Sequence, residues 1–170
     1  MFGKSVVLTL AIGGALLFSG SSAFLNGTTR DAGTAANSRP DFTLHAENGE
    51  TIRLSKLRGK VVVVNFFGIW CAPCKEELPW FQEFSKKYEA RGVVVLGAVE
   101  ESSSWKRVSP FKQKAGITYT WGMDPDDSFT KFRVEALPST VVIDRKGNVR
   151  YLHTGLIAKD EVEKAIQASL

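Results

Sequence analysis

The sequence predicts an α/β domain: a central mixed β-sheet with helices on both faces, opened by a short added β-hairpin. Three observations carry this. The runs 60–67 (KVVVVNFF) and 93–99 (VVVLGAV) are continuous, apolar and β-branched. Strands buried on both faces have this composition, and helix-covered parallel sheets contain such strands. Between them, Leu78, Phe81, Phe84 and Tyr88 recur at spacings of three and four, the period of a helix, so the three segments form a β-α-β crossover. Beyond it, 139–144 and 148–153 face each other across Arg145-Lys146-Gly147 as a hairpin, and 159–170 closes the chain as a helix.

In chain order, 41–44 and 51–54 flank Glu47-Asn48-Gly49-Glu50, whose Asn-Gly step favours a tight turn and an opening hairpin. The helix over 73–90 contains Pro79, which is expected to kink it, and meets its stop at Arg91-Gly92. After 93–99, a helix is predicted over 103–115 and a short one over 126–132. No internal repeat is present.

The chain has 170 residues, 44% hydrophobic and 24% charged, the composition of one globular domain plus a leader. This excludes a largely disordered, collagenous or polytopic membrane protein. The net charge of +4 divides into +2 for residues 1–39 and +2 for 40–170, too balanced for a nucleic-acid partner. Lys4 is followed by the apolar stretch 5–18 (SVVLTLAIGGALLF) and a small-x-small exit at Ser21 and Ala23. Residues 1–25 therefore read as a cleaved secretory signal or, extended to Leu25, as an uncleaved membrane anchor. Both place the domain outside the cytoplasm, in the periplasm or on the outer face of the cytoplasmic membrane. Residues 26–39 are small and polar and read as a flexible linker, leaving 40–170 as the domain.

The chain has two cysteines, too few for a disulfide-rich scaffold, and they stand three positions apart in Trp70-Cys71-Ala72-Pro73-Cys74-Lys75. A C-x-x-C at a strand-to-helix junction is a redox signal. Cys71 falls where free backbone N–H groups and the positive end of the helix dipole favour a thiolate, which makes it the attacking sulfur. Cys74, one turn on, is placed to resolve the mixed disulfide, and Pro73 restricts the loop between them. Two alternatives stand beside this: half of a zinc site, for which only the isolated His45 and His153 remain, or two core cysteines close by chance. Both histidines read as surface or strand-face residues.

Residues 40–170 resemble the thioredoxin-like thiol-disulfide oxidoreductases of the TlpA/ResA type. The resemblance runs through Pro40-Asp41-Phe42-Thr43-Leu44, Asn48-Gly49, Leu57-Arg58-Gly59-Lys60 and Val64-Asn65-Phe66-Phe67-Gly68. It continues through the cysteine motif, Glu76-Glu77-Leu78-Pro79, Leu137-Pro138-Ser139-Thr140 and Ile143-Asp144-Arg145-Lys146-Gly147. It implies a thioredoxin-like fold and a redox-active Cys71–Cys74 disulfide, with no other cofactor and no metal. It implies that Pro138 is a cis-proline beside the cysteines, leaving the backbone at Leu137 to pair with an extended substrate. Asn65 takes the place of a buried aspartate of thioredoxin and cannot act as that base. The family commonly carries an acid after the second core strand, where Glu100 and Glu101 stand here. Glu101 is the choice for exchanging a proton with Cys74. Trp70 is expected to cover one side of the disulfide, and loops around Glu101, Trp121 to Asp127 and Leu137 to line the substrate groove.

The implied activity is reduction of disulfides in extracytoplasmic proteins, with apocytochrome c a candidate substrate. A membrane-embedded thiol donor is the implied partner that restores the dithiol, and the chain is expected to act as a monomer. A disulfide oxidase of the same fold fits the spacing equally. A peroxiredoxin-like peroxidase would need Thr or Ser three residues before Cys71 and Pro seven before it, where Gly68 and Val64 stand. A copper chaperone on this fold usually spaces its cysteines by three residues and adds a histidine.

Overall fold

A computed structural model describes residues 40–100, 104–123 and 128–170. The leader 1–25 and the linker 26–39 lie outside the described residues. Seven strands form one sheet in the order β2-β1-β5-β4-β3-β6-β7. The central strands are β3 (Val61–Phe67) and β4 (Val93–Val99), which run parallel with Asn65 opposite Gly97. β6 (Ser139–Ile143) lies antiparallel on the other side of β3, with Asn65 opposite Thr140, and β7 (Val149–Thr154) completes that edge. The opening hairpin, β1 (Thr43–Ala46) and β2 (Thr51–Arg53), turns at Gly49 with φ +82°.

The unbroken apolar runs are explained by two cores, one on each face. By the two-residue period of a strand, Val61, Val63 and Phe67 of β3 face one way and Val62, Val64 and Phe66 the other. The first face packs against the helices α1 (Ala72–Tyr88), through Leu78, Phe81 and Phe84, and α4 (Lys159–Ala168), through Val162 and Ile166. α2 (Trp105–Lys114) adds Val108 to the same core. The second face is covered by Phe42, Leu44, Leu54 and Phe132, the last just beyond the short helix α3 (Ser128–Lys131). The long helices thus share one face and a single helical turn serves the other.

The helix over 73–90 is Ala72–Tyr88 with Pro79 inside it, a 3-10 turn follows, and Gly92 closes it with φ +79°. One segment differs from the sequence reading. Of the Trp121 to Asp127 segment expected to line a groove, Trp121 to Met123 belong to the strand β5 (Thr120–Met123), parallel to β4 and antiparallel to β1. It joins the opening hairpin to the main sheet, and the Trp121 ring is buried against Phe67 instead of lining a groove. Residues 124–127 lie outside the described residues.

Candidate active site

The site forms where β3 ends and α1 begins. Gly68 follows the strand and its carbonyl accepts the Cys71 N–H at 3.1 Å, turning the chain into the helix. Cys71 is the N-cap, with extended backbone, and its Sγ accepts the Cys74 N–H at 3.3 Å. A sulfur there meets an orphan donor of the first turn and the positive end of the helix dipole, both of which stabilise a thiolate. Cys71 and Cys74 are joined by a disulfide with Cα atoms 5.3 Å apart. Cys71 is buried apart from a small exposed surface and Cys74 fully, so an incoming sulfur reaches Cys71 first. Pro73 lies exposed in the first turn, where its missing N–H costs no helical bond.

The Leu137–Pro138 peptide is cis. Leu137 is half-buried and packs against the apolar cluster that holds both cysteines. The Pro138 carbonyl accepts the Gly155 N–H at 2.7 Å. Trp70 is mostly exposed, and its indole Nε1 donates to Glu100 Oε2 at 3.3 Å. Glu100 continues past β4 and donates its own N–H to the Phe67 carbonyl. Glu101 lies outside the described residues.

A carboxyl that sequence reasoning did not single out sits beneath this site. Glu77, one turn beyond Cys74, is the only buried charged side chain among the described residues, at 0% exposure. Its Oε1 accepts the Ile157 N–H at 2.9 Å and its Oε2 the Asn65 amide at 3.3 Å. Burial pushes its pKa up to about 7, opposed by those two hydrogen bonds and assisted by the nearby charge of Glu76. Asn65 shares the face of Val63 and Phe67, which explains how a polar residue inside an apolar run reaches the helix. Its Oδ1 is buried without a hydrogen-bond partner, as is Oγ1 of its cross-strand neighbour Thr140. Turning the amide over would let Asn65 Oδ1 accept a proton-bearing Glu77, so one asparagine can serve both protonation states. The signal for Glu77 was present in the spacing: a residue three after an inward-facing cysteine shares its helix face.

No group of three or more His, Cys, Asp or Glu residues able to hold a metal ion occurs among the described residues. His45 bonds Thr51 across the opening hairpin, and His153 lies on β7.

The AhpC/TSA family model matches residues 35–152. The chain belongs to the AhpC/TSA family. Within it, this is a thioredoxin-like protein of the TlpA/ResA type, and it is a thiol-disulfide oxidoreductase. It is 34% identical over 142 residues to the thiol-disulfide oxidoreductase ResA of Geobacillus kaustophilus, covering 83% of this chain and 81% of that protein. It is also 34% identical over 124 residues to ResA of Bacillus subtilis, covering 72% and 69%. A crystal structure of a thiol:disulfide interchange protein of the thioredoxin family from Chlorobium tepidum superposes with a TM-score of 0.70 at 25% identity, covering 79% of this chain and 96% of that one.

Proposed function

We propose that this protein is an exported reductase of protein disulfides. The observation that carries the proposal is the Cys71–Cys74 pair at the first turn of α1, with Cys71 Sγ as the helix cap. In the reduced form, the Cys71 thiolate attacks one sulfur of a substrate disulfide and the other substrate sulfur leaves as a thiolate. Cys74 then attacks Cys71 Sγ, the Cys71–substrate bond breaks, and the substrate departs as a dithiol. Two electrons and two protons pass to the substrate, and the Cys71–Cys74 disulfide remains. A membrane-embedded thiol donor reverses this step. Trp70, Pro73, Leu137 and Pro138 form the surface on which an extended substrate segment lies, with the Leu137 backbone pairing to it.

Cys74 is buried and needs a group to take its proton. Glu77 suits that role, being buried on the same helix face with a pKa near neutrality. Glu101, the acid favoured from sequence, is the second candidate. Titrating the Cys71 and Cys74 thiols in Glu77→Gln and Glu101→Gln separates them: the variant that moves the Cys74 titration identifies the acid, and no movement in either removes the role.

Residues 1–25 as signal or anchor and 26–39 as tether support the extracytoplasmic placement, and 40–170 is the domain. The same geometry would serve a disulfide oxidase, so direction is tested by the reduction potential. A reductase should lie well below the value of about −120 mV typical of the oxidase DsbA, and a potential near that value would overturn the direction. A monomer in solution and capture of apocytochrome c by a trapping variant are the corresponding tests for oligomeric state and substrate. A peroxidase role lacks support at Gly68 and Val64, and a peroxide turnover assay checks it.

A further inference from the structure

Trp70 immediately precedes the proposed attacking cysteine and is the most exposed large apolar side chain among the described residues, at 63%. An indole standing that far into solvent would ordinarily sample several rotamers. Two contacts restrict this one. Its Nε1 donates to Glu100 Oε2 at 3.3 Å. Its ring edge rests on Gly68, where an added Cβ would stand 2.8 Å from both Nε1 and Cε2, closer than such atoms approach. Both supports are fixed by the sheet. Gly68 follows β3 and bonds Cys71, while Glu100 follows β4 and bonds Phe67, which pairs with Val99 in the parallel ladder.

We propose that Glu100 is a positioning residue that holds the Trp70 indole, seated on Gly68, as a fixed wall beside Cys71. The wall sets preference for polypeptide disulfides over small ones. With its N–H engaged by Glu100, the indole presents only apolar surface to a substrate. An extended polypeptide must lie along that surface for its disulfide to reach Cys71, and a preset wall removes the entropy of ordering it at docking. A small disulfide reaches the sulfur without it. This assigns the acid at the end of β4 a role through an indole, distinct from proton exchange with Cys74, and it rests on the reading of Cys71 as the attacking sulfur.

The test compares reduced full-length protein with Glu100→Ala, Glu100→Gln and Gly68→Ala. The substrates are an unfolded, disulfide-bonded protein and a neutral dipyridyl disulfide. Glu100→Ala is expected to raise KM for the protein disulfide about fivefold, equivalent to about 1 kcal/mol for a lost hydrogen bond, with kcat changed less than about twofold. Gly68→Ala should behave alike, because the methyl group displaces the ring. Glu100→Gln keeps an oxygen that accepts the N–H and should stay within about twofold of the parent. Reaction with the dipyridyl disulfide should hold in all three. The indole N–H resonance, assigned with Trp70→Phe, should shift and exchange faster in Glu100→Ala and Gly68→Ala but not in Glu100→Gln.

An unchanged KM and indole resonance in Glu100→Ala overturns the role. Equal losses on both substrates, which would place Glu100 on the cysteines themselves, also overturn it, as does a Glu100→Gln defect matching Glu100→Ala. If the parent protein fails to reduce the protein disulfide, the functional reading falls and this role with it. A working parent with an unaffected Glu100→Ala removes this role alone.

Discussion

Replacing Glu77 with glutamine should flatten the pH dependence of stability. The native carboxyl is fully buried and its pKa is raised from 4.5 to about 7. Between those values the folded state holds a proton that the unfolded state has released. The native form therefore binds more protons, and stability falls as pH rises. At about 1.36 kcal/mol per unit, the displacement amounts to about 3 kcal/mol lost from acid to slightly alkaline pH. Glutamine fills the same space and carries no titrating proton. Its amide oxygen can accept the Ile157 N–H, and its NH₂ can donate to Asn65 Oδ1 after the Asn65 amide turns over. Urea unfolding of the oxidised protein, parent against Glu77→Gln at several pH values from about 4.5 to 8, reads the difference directly. The parent should lose stability relative to the variant by about 3 kcal/mol over that range, mostly below about pH 7, and the difference should level off above it. Two curves that stay parallel throughout would refute the raised pKa and, with it, the case for Glu77 as a proton acceptor near neutral pH.

Asn65→Asp would set a second carboxyl where an amide now stands 3.3 Å from Glu77. Two buried carboxylates cannot both ionise at that distance, so the variant should be at least about 2 kcal/mol less stable at pH 8 than at pH 5, beyond the parent's own decline. Equal pH profiles would mean that the pair is better solvated than its burial indicates. Gly97→Ala tests the packing under the sheet: its methyl would stand 2.5 Å from a Trp121 ring carbon and 2.9 Å from the Phe67 ring, both buried. A loss of about 1–3 kcal/mol is expected, and an unchanged urea midpoint would show that the rings have room to move.

The elements that carry the site were legible because their physics is local. A run such as VVVVNFF must be buried on both faces whatever follows it, and the three-four spacing from Leu78 to Tyr88 admits one period. β5 was not legible, since Thr-Trp-Gly-Met is short, contains glycine and becomes a strand only because β4 and β1 stand on either side of it. The motif and the resemblance singled out residues whose local geometry is distinctive, the Cys71–Cys74 disulfide and the cis Leu137–Pro138 peptide, while the contacts of the Trp70 indole with Gly68 and Glu100 come from two different strand ends and could not be read from either. Glu77 was passed over because a charged residue in an amphipathic helix ordinarily faces water. Its inward position follows from sharing a face with Cys74 and Phe81 and from the Asn65 and Ile157 donors that meet it, the second supplied from eighty residues away.

The most direct test of the central claim is covalent trapping with an unfolded, disulfide-bonded protein. Reduced Cys74→Ser should form one mixed disulfide per chain, through Cys71 and reversed by added thiol, because the attacking sulfur remains and the resolving one is gone. Reduced Cys71→Ser should form none, since Cys74 is buried and lacks the N-cap position. An adduct carried by Cys74 in Cys71→Ser, or no adduct in Cys74→Ser, would contradict the assignment of Cys71 as the attacking sulfur.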